Sequence, residues 1–155
     1  MSRKRLALLI TRATPESAYV PLMMAATAAA MDYECKLFFA FGGLELLRPA
    51  PVLEVPASPE GRNPGMDSAT APSGAALGRP ASPEGRNPGM DSAALPDLAE
   101  LRAACLEQGV EMIACSASLS MCSLTREQLV PEATVAGMAT WLVFASGAEI
   151  QLNFG

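Results

Sequence analysis

The chain has 155 residues, half of them apolar, carries a formal net charge of −5 and contains no histidine. That length fits one domain with material for a real core. The acidic balance argues against a nucleic-acid partner, since the only basic cluster is Arg3-Lys4-Arg5 near the start. Without histidine, Cys–His and Ser–His catalysis within the chain are excluded. The four cysteines, Cys35, Cys105, Cys115 and Cys122, form no CxxC pair. No zinc or other metal is therefore expected, nor any cofactor. The apolar stretch 20–31 is short of the ~20 residues of a membrane span, and no export signal is visible. The expected setting is the cytoplasm, where thiols stay reduced.

Residues 5–11, RLALLIT, form an apolar run suited to a buried strand. The turn RATPES follows, with Ser17 as the expected N-cap of a helix over 18–31. That start would put Pro21 in the first turn, where its missing N–H does little harm. Alanine and methionine dominate the segment and favour a helix. ECKLFFAF, 34–41, reads as a second strand closed by Gly42 and Gly43. A βαβ opening argues for a parallel sheet with helices on its faces.

From 48 to 97 the composition changes: ten of the thirteen prolines and six of the twelve glycines lie here. PASPEGRNPGMDSA occurs twice, at 56–69 and 80–93, an offset of 24 residues. Two copies do not make a solenoid, which needs several stacked units. The segment reads as one long irregular loop inside a single domain spanning 1–155. Lengthening such a loop costs only about 0.6 kcal/mol per doubling, so a tolerated duplication explains it. A lid or docking loop is the alternative.

Periodicity returns with LPDLAELRAACLEQG. Asp97 is the expected N-cap and Gly109 the C-terminal stop, with Leu98, Leu101 and Cys105 on one face. VEMIAC, 110–115, is a third strand, 124–129 a short helix, and 133–136 a brief strand. The run GMATWLVFASG, 137–147, is compatible with helix or buried strand, because continuous apolarity does not decide between them. EIQLNF ends the chain as a strand.

Three stretches together carry a resemblance: LALLITRATPESAYVPLMMAATAAAMDYECKLFFAFGGLELL, LAELRAACLEQGVEMIACSASLSMCSLTREQL and VAGMATWLVFASGAEIQLNF. They resemble the DsrE/DsrF-like, TusD-related family of sulfurtransferases and sulfur carriers, in its peroxiredoxin-like DsrE branch. The resemblance implies a three-layer α/β fold and a helix over 137–145. The mostly parallel five-stranded sheet is expected in the order 2-1-3-4-5. A homotrimer or homohexamer is implied as well. The family cysteine follows the third strand, which is Cys115 here. The implied activity is transfer of sulfane sulfur, held as a cysteine persulfide, between TusA-like or rhodanese-like donor and acceptor proteins of sulfur metabolism, sulfur oxidation included.

In that strand order the end of the first strand, Thr11-Arg12, lies beside Cys115 at the switch point where such sheets bind ligands. Arg12 and the start of the following helix would then favour the thiolate. Cys115 is accordingly expected to be the reactive thiol. Cys35 reads as core, and Cys105 and Cys122 as possible secondary thiols. Seven residues separate Cys122 from Cys115, roughly 10 Å along a continuous helix, too far for a disulfide without rearrangement. Two other functions stay open on the residues alone: a thiol-based redox or peroxide sensor, and a noncatalytic assembly subunit.

Overall fold

A computed structural model describes residues 2–54 and 96–155. The duplicated segment, and with it most of the expected loop, lies outside the described residues.

In chain order the elements are β1 (Arg5–Ile10), α1 (Pro15–Ala30), β2 (Glu34–Phe39), α2 (Leu98–Glu107), β3 (Glu111–Cys115), α3 (Ser116–Met121), β4 (Thr134–Ala136), α4 (Met138–Ala145) and β5 (Ile150–Phe154). All strand pairs are parallel. The expected class, a five-stranded parallel sheet flanked by helices, is therefore present, and the helix that the resemblance implies over 137–145 is α4, with Gly137 as its N-cap. The strand order is different. It runs β4-β3-β2-β1-β5, with β2 between β1 and β3.

The burial of β2 gives the physical reason. Leu37 and Phe39 point to one face and Phe38 and Ala40 to the other, and all four are buried. A strand apolar on both faces belongs in the middle of a sheet. At the edge, where the order 2-1-3-4-5 would put it, its backbone and one flank would meet solvent. That edge is taken instead by β4, whose Thr134 and Val135 are exposed, while β5 holds the other edge as in the expected order, its first four residues exposed. Three successive steps from β1 to β4 run in one direction, so their crossovers share a face. The return step to β5 puts α4 on the opposite face. Two cores result. Leu6, Leu8, Leu37 and Met112 meet Leu22 of α1 and Cys105 of α2. Ala7, Phe38, Ile113 and Cys115 meet Trp141 and Phe144 of α4.

Local chemistry sets the ends. α1 starts earlier than expected: its N-cap is Thr14, whose Oγ1 accepts the Ser17 N–H at 3.2 Å. Pro15 then occupies the first helical position, which its fixed φ suits, and Pro21 lies inside the helix. β2 ends at Phe39 and passes into a 3-10 turn, Phe41–Leu47. The expected helix over 124–129 is only a 3-10 turn at Arg126–Gln128, closed by reciprocal hydrogen bonds between Thr125 and Gln128.

α2 stops as its glycine predicts. The Gly109 N–H reaches the Leu106 carbonyl at 3.0 Å and the Val110 N–H the Cys105 carbonyl at 3.0 Å, with Gly109 at φ +81°. An L side chain there costs roughly 1 kcal/mol. Buried Arg102 donates from one Nη to the carbonyls of Leu46 and Arg48, at 2.8 and 3.0 Å. It thereby fixes the exit from the 3-10 turn. Past Arg48, the Glu54 N–H donates to the Ala13 carbonyl at 2.7 Å. The first residues of the expected loop are therefore tied to the β1–α1 turn.

Candidate functional site

Alternation along β3 decides where its last residue points. Met112 and Ala114 face α1 and α2, while Ile113 and Cys115 face α4. Cys115 thus ends the strand opposite Ala136 of β4 and caps the start of α3. It is a free thiol, 3% exposed, in the cluster with Phe38, Ala40 and Trp141. Phe38 and Trp141 stack at 5.2 Å between ring centres. The sequence points to an accessible thiol at this position; the fold covers it.

The structure does not bring Arg12 to it. Their expected adjacency requires β1 to lie beside β3. With β2 between them, the two strand ends are separated by two strand spacings, ~10 Å. The Arg12 guanidinium stands instead 4.0 Å from the Glu54 carboxylate, and both side chains are more than half exposed.

Two of the remaining thiols are buried in the other core. Cys105 is fully buried and its Sγ donates to the Leu22 carbonyl at 3.2 Å. Burial pushes its pKa up to about 11. Cys35 is buried in the same core, and burial likewise pushes it up to about 11. Both lie in the α1–α2 core, across the sheet from the cluster that holds Cys115.

Cys122 is the exposed cysteine. It closes α3, whose six residues are followed by the same kind of stop as in α2. The Ser123 N–H bonds to Ser120 at 3.3 Å and the Leu124 N–H to Leu119 at 2.9 Å, with Ser123 at φ +53°. This turn leaves Cys122 on the wall of a cleft of about 320 Å3, with Ala13, Phe41, Gly42, Glu54 and Leu124. The cleft lies beyond the carboxyl ends of β1 and β2, where open parallel sheets take ligands. Nothing in the sequence signals its exposure, because serine rather than glycine occupies the left-handed stop. Among the described residues no group of three His, Cys, Asp or Glu side chains could hold a metal ion. No helix among them is long and apolar enough to cross a membrane.

The sequence itself matches one known family almost from end to end. The DsrE/DsrF/DrsH-like family matches residues 2–153, and the chain belongs to it. It is 34% identical over 160 residues to the sulfur carrier protein DsrE2 of Allochromatium vinosum, covering 98% of this chain and 99% of that protein. Two solved structures share the fold. The ychN protein from E. coli matches with a TM-score of 0.60 at 12% identity, over 99% of this chain and 100% of that one. MTH1491 from Methanobacterium thermoautotrophicum, a protein of unknown function, matches with a TM-score of 0.54 at 12% identity, over 97% and 98%.

Proposed function

We propose that this protein is a sulfur carrier that holds sulfane sulfur as a persulfide on Cys115 and moves it between donor and acceptor proteins, TusA-like or rhodanese-like in kind, in the cytoplasm. The observation that carries the reading is the end-to-end similarity to a sulfur carrier protein. The place of Cys115, where β3 passes into α3, supports it. The chemistry needs no cofactor. A thiolate attacks the outer sulfur of a donor persulfide, the donor S–S bond breaks as a new one forms, and the donor leaves as a thiolate. Burial beside Phe38 and Trp141 suits storage, because a covered persulfide is kept from stray small thiols. A disulfide-based sensor fits less well. Cys35 and Cys105 lie on the other face of the sheet, and Cys122 is roughly 10 Å along α3.

After exposure to polysulfide and a brief wash with a small thiol, the wild-type protein should retain sulfane sulfur on the Cys115 peptide. Cys115→Ser should retain less than about one-tenth as much. Mass-spectrometric peptide mapping measures this. Equal retention in the variant would sink the assignment, and a peroxide-induced disulfide at Cys115 would favour the sensor.

The proposal includes self-association as a homotrimer or homohexamer. Its support is apolar surface. Val20, Met23, Met24, Met31 and Ile150 line a groove of about 430 Å3 between α1 and the β5 edge, and on α4 Val143 is 76% exposed. Large exposed apolar patches mark association surfaces. Sedimentation at micromolar concentration should show an oligomer; a monomer there would overturn this part.

A further inference from the structure

We propose that the cleft over Arg102 is a binding site for a small monocarboxylate, held by the edge of the guanidinium that the fold leaves free. The site lies on α2 and is independent of the sulfur-carrier reading, which uses none of its residues.

Arg102 is the one buried charged side chain among the described residues, 7% exposed. A charge taken out of water is ordinarily paired, because otherwise its lost hydration is not offset. Arg3, Arg5, Arg12 and Arg48 are all less buried, and each has a carboxylate partner. Arg102 has none among the described residues. Burial accordingly lowers its pKa, against the smaller opposing pull of Glu132 and Asp97. Its hydrogen bonding is only half used. Nη1 donates to the Leu46 and Arg48 carbonyls, while Nε and Nη2 make no hydrogen bond among the described residues. Yet no buried side-chain nitrogen or oxygen among those residues lacks a partner. Nε and Nη2 are therefore not sealed in; they reach open space. The space that Arg102 lines is a cleft of about 280 Å3.

The free edge selects the ligand. Nη1 is the terminal nitrogen nearer Cδ, so Nε–H and one Nη2–H point the same way along the opposite edge. That parallel pair fits the two oxygens of a carboxylate. The guanidinium is also fixed in advance, because the two carbonyls hold Nη1 at 2.8 and 3.0 Å. Little ordering is then left for binding to impose.

The walls narrow the choice of carboxylate. Ala99, Ala103 and Leu106 share a face of α2 with Arg102, and the two alanines are too short to cover it. Val130 and Pro131 line the cleft as well, and Arg126 ties them down by donating to both carbonyls, at 2.9 and 2.7 Å. A short hydrocarbon tail suits such surfaces. Glu132 is the only other charged residue of the lining. It repels a doubly charged anion more than a singly charged one, which disfavours phosphate.

The test is titration of the full chain with butyrate, followed by the Arg102 Nε–H resonance in proton–nitrogen spectra. The signal should shift and saturate below about 10 mM. Butyramide has the same shape without the charge and should bind at least about tenfold more weakly. Inorganic phosphate should also bind more weakly than butyrate. Glu132→Gln should tighten butyrate several-fold at low ionic strength, with the gain shrinking as salt rises. Arg102→Lys keeps a charge but loses the parallel pair, so calorimetry should show at least about a tenfold loss. That variant also loosens the 3-10 turn, and Ala103→Leu guards against its failing to fold. Ala103→Leu fills the cleft and leaves the guanidinium in place. It should abolish saturation while its urea midpoint stays near that of the wild type. No saturable shift with butyrate would overturn the site, as would unchanged binding in Ala103→Leu or equal affinity for butyramide. Phosphate bound more tightly than butyrate would overturn the choice of a monocarboxylate.

Discussion

Gly43→Ala should destabilise the protein by about 3 kcal/mol or more, the largest loss expected from adding a single methyl group. Gly43 lies in the 3-10 turn after β2, where the turn passes over the end of β1. A Cβ built there falls 2.3 Å from the Ile10 carbonyl oxygen and 2.9 Å from its carbon. Both are backbone atoms, so no side chain can swing away. Ile10 cannot retreat either: it is fully buried, and its carbonyl accepts the Ala40 N–H at 2.9 Å. The turn cannot lift, because Leu44, Leu46 and Leu47 are buried beneath it and Arg102 grips the Leu46 carbonyl. Gly42 supplies the control. A Cβ there meets its nearest backbone atom at 3.1 Å, a contact relieved by a few tenths of an ångström. Gly42→Ala should cost visibly less. Urea midpoints for the two variants measure the difference, and a Gly43→Ala loss below about 1 kcal/mol would mean that the turn is not pressed onto β1.

The elements legible in the sequence are those whose signal is local. RLALLI, ECKLFF and EMIAC read as strands from their apolar runs, and Gly109 marked the end of α2. What sequence did not show is what depends on partners. Both Thr14 and Ser17 are good caps, and only the fit of Pro15 at the first helical position chose between them. The strand order was decided by β2, whose Phe38 and Phe39 each need a covered face. A run of apolar letters does not say that both faces are used. α4 shows the converse. Trp141, Phe144 and Ala145 are buried at helical spacing, but Leu142 and Val143 between them are exposed. With Thr140 as its one polar residue, the outer face is barely marked and its period is hidden. For the site, the sequence located Cys115 at a strand end correctly, but the accompanying environment followed from the wrong neighbour. Arg12 sits at the cleft of Cys122, a thiol whose exposure depends on a left-handed serine.

The four thiols should differ in alkylation by at least about three powers of ten near pH 8, with Cys122 first and Cys35 and Cys105 last. Two effects multiply. A free thiol ionises near pH 8.5. Burial pushes Cys35 and Cys105 up to about 11, which lowers their thiolate fraction roughly a hundredfold or more. The reagent must also wait for the α1–α2 core to open. Cys115 should also lag Cys122, since iodoacetamide reaches it only when the α4 cover or α3 moves. The same shifts predict how stability changes with pH. In the unfolded chain Cys35 and Cys105 lose their protons from about pH 8.5 upward, while in the folded chain they keep them until about pH 11. Across that window the unfolded state binds fewer protons, so stability falls as pH rises. Below it the contribution of the protonated thiols is fully present. Cys105→Ala removes one of the two groups. It should lower stability at neutral pH by leaving a small cavity, yet give a shallower decline between about pH 8.5 and 11 than the wild type. Contributions common to the two proteins cancel from the comparison. Urea midpoints measured at steps across the window, together with timed iodoacetamide labelling and peptide mapping, check both halves. An unchanged slope, or Cys105 labelled as fast as Cys122, would show that the core thiol is neither buried nor held protonated.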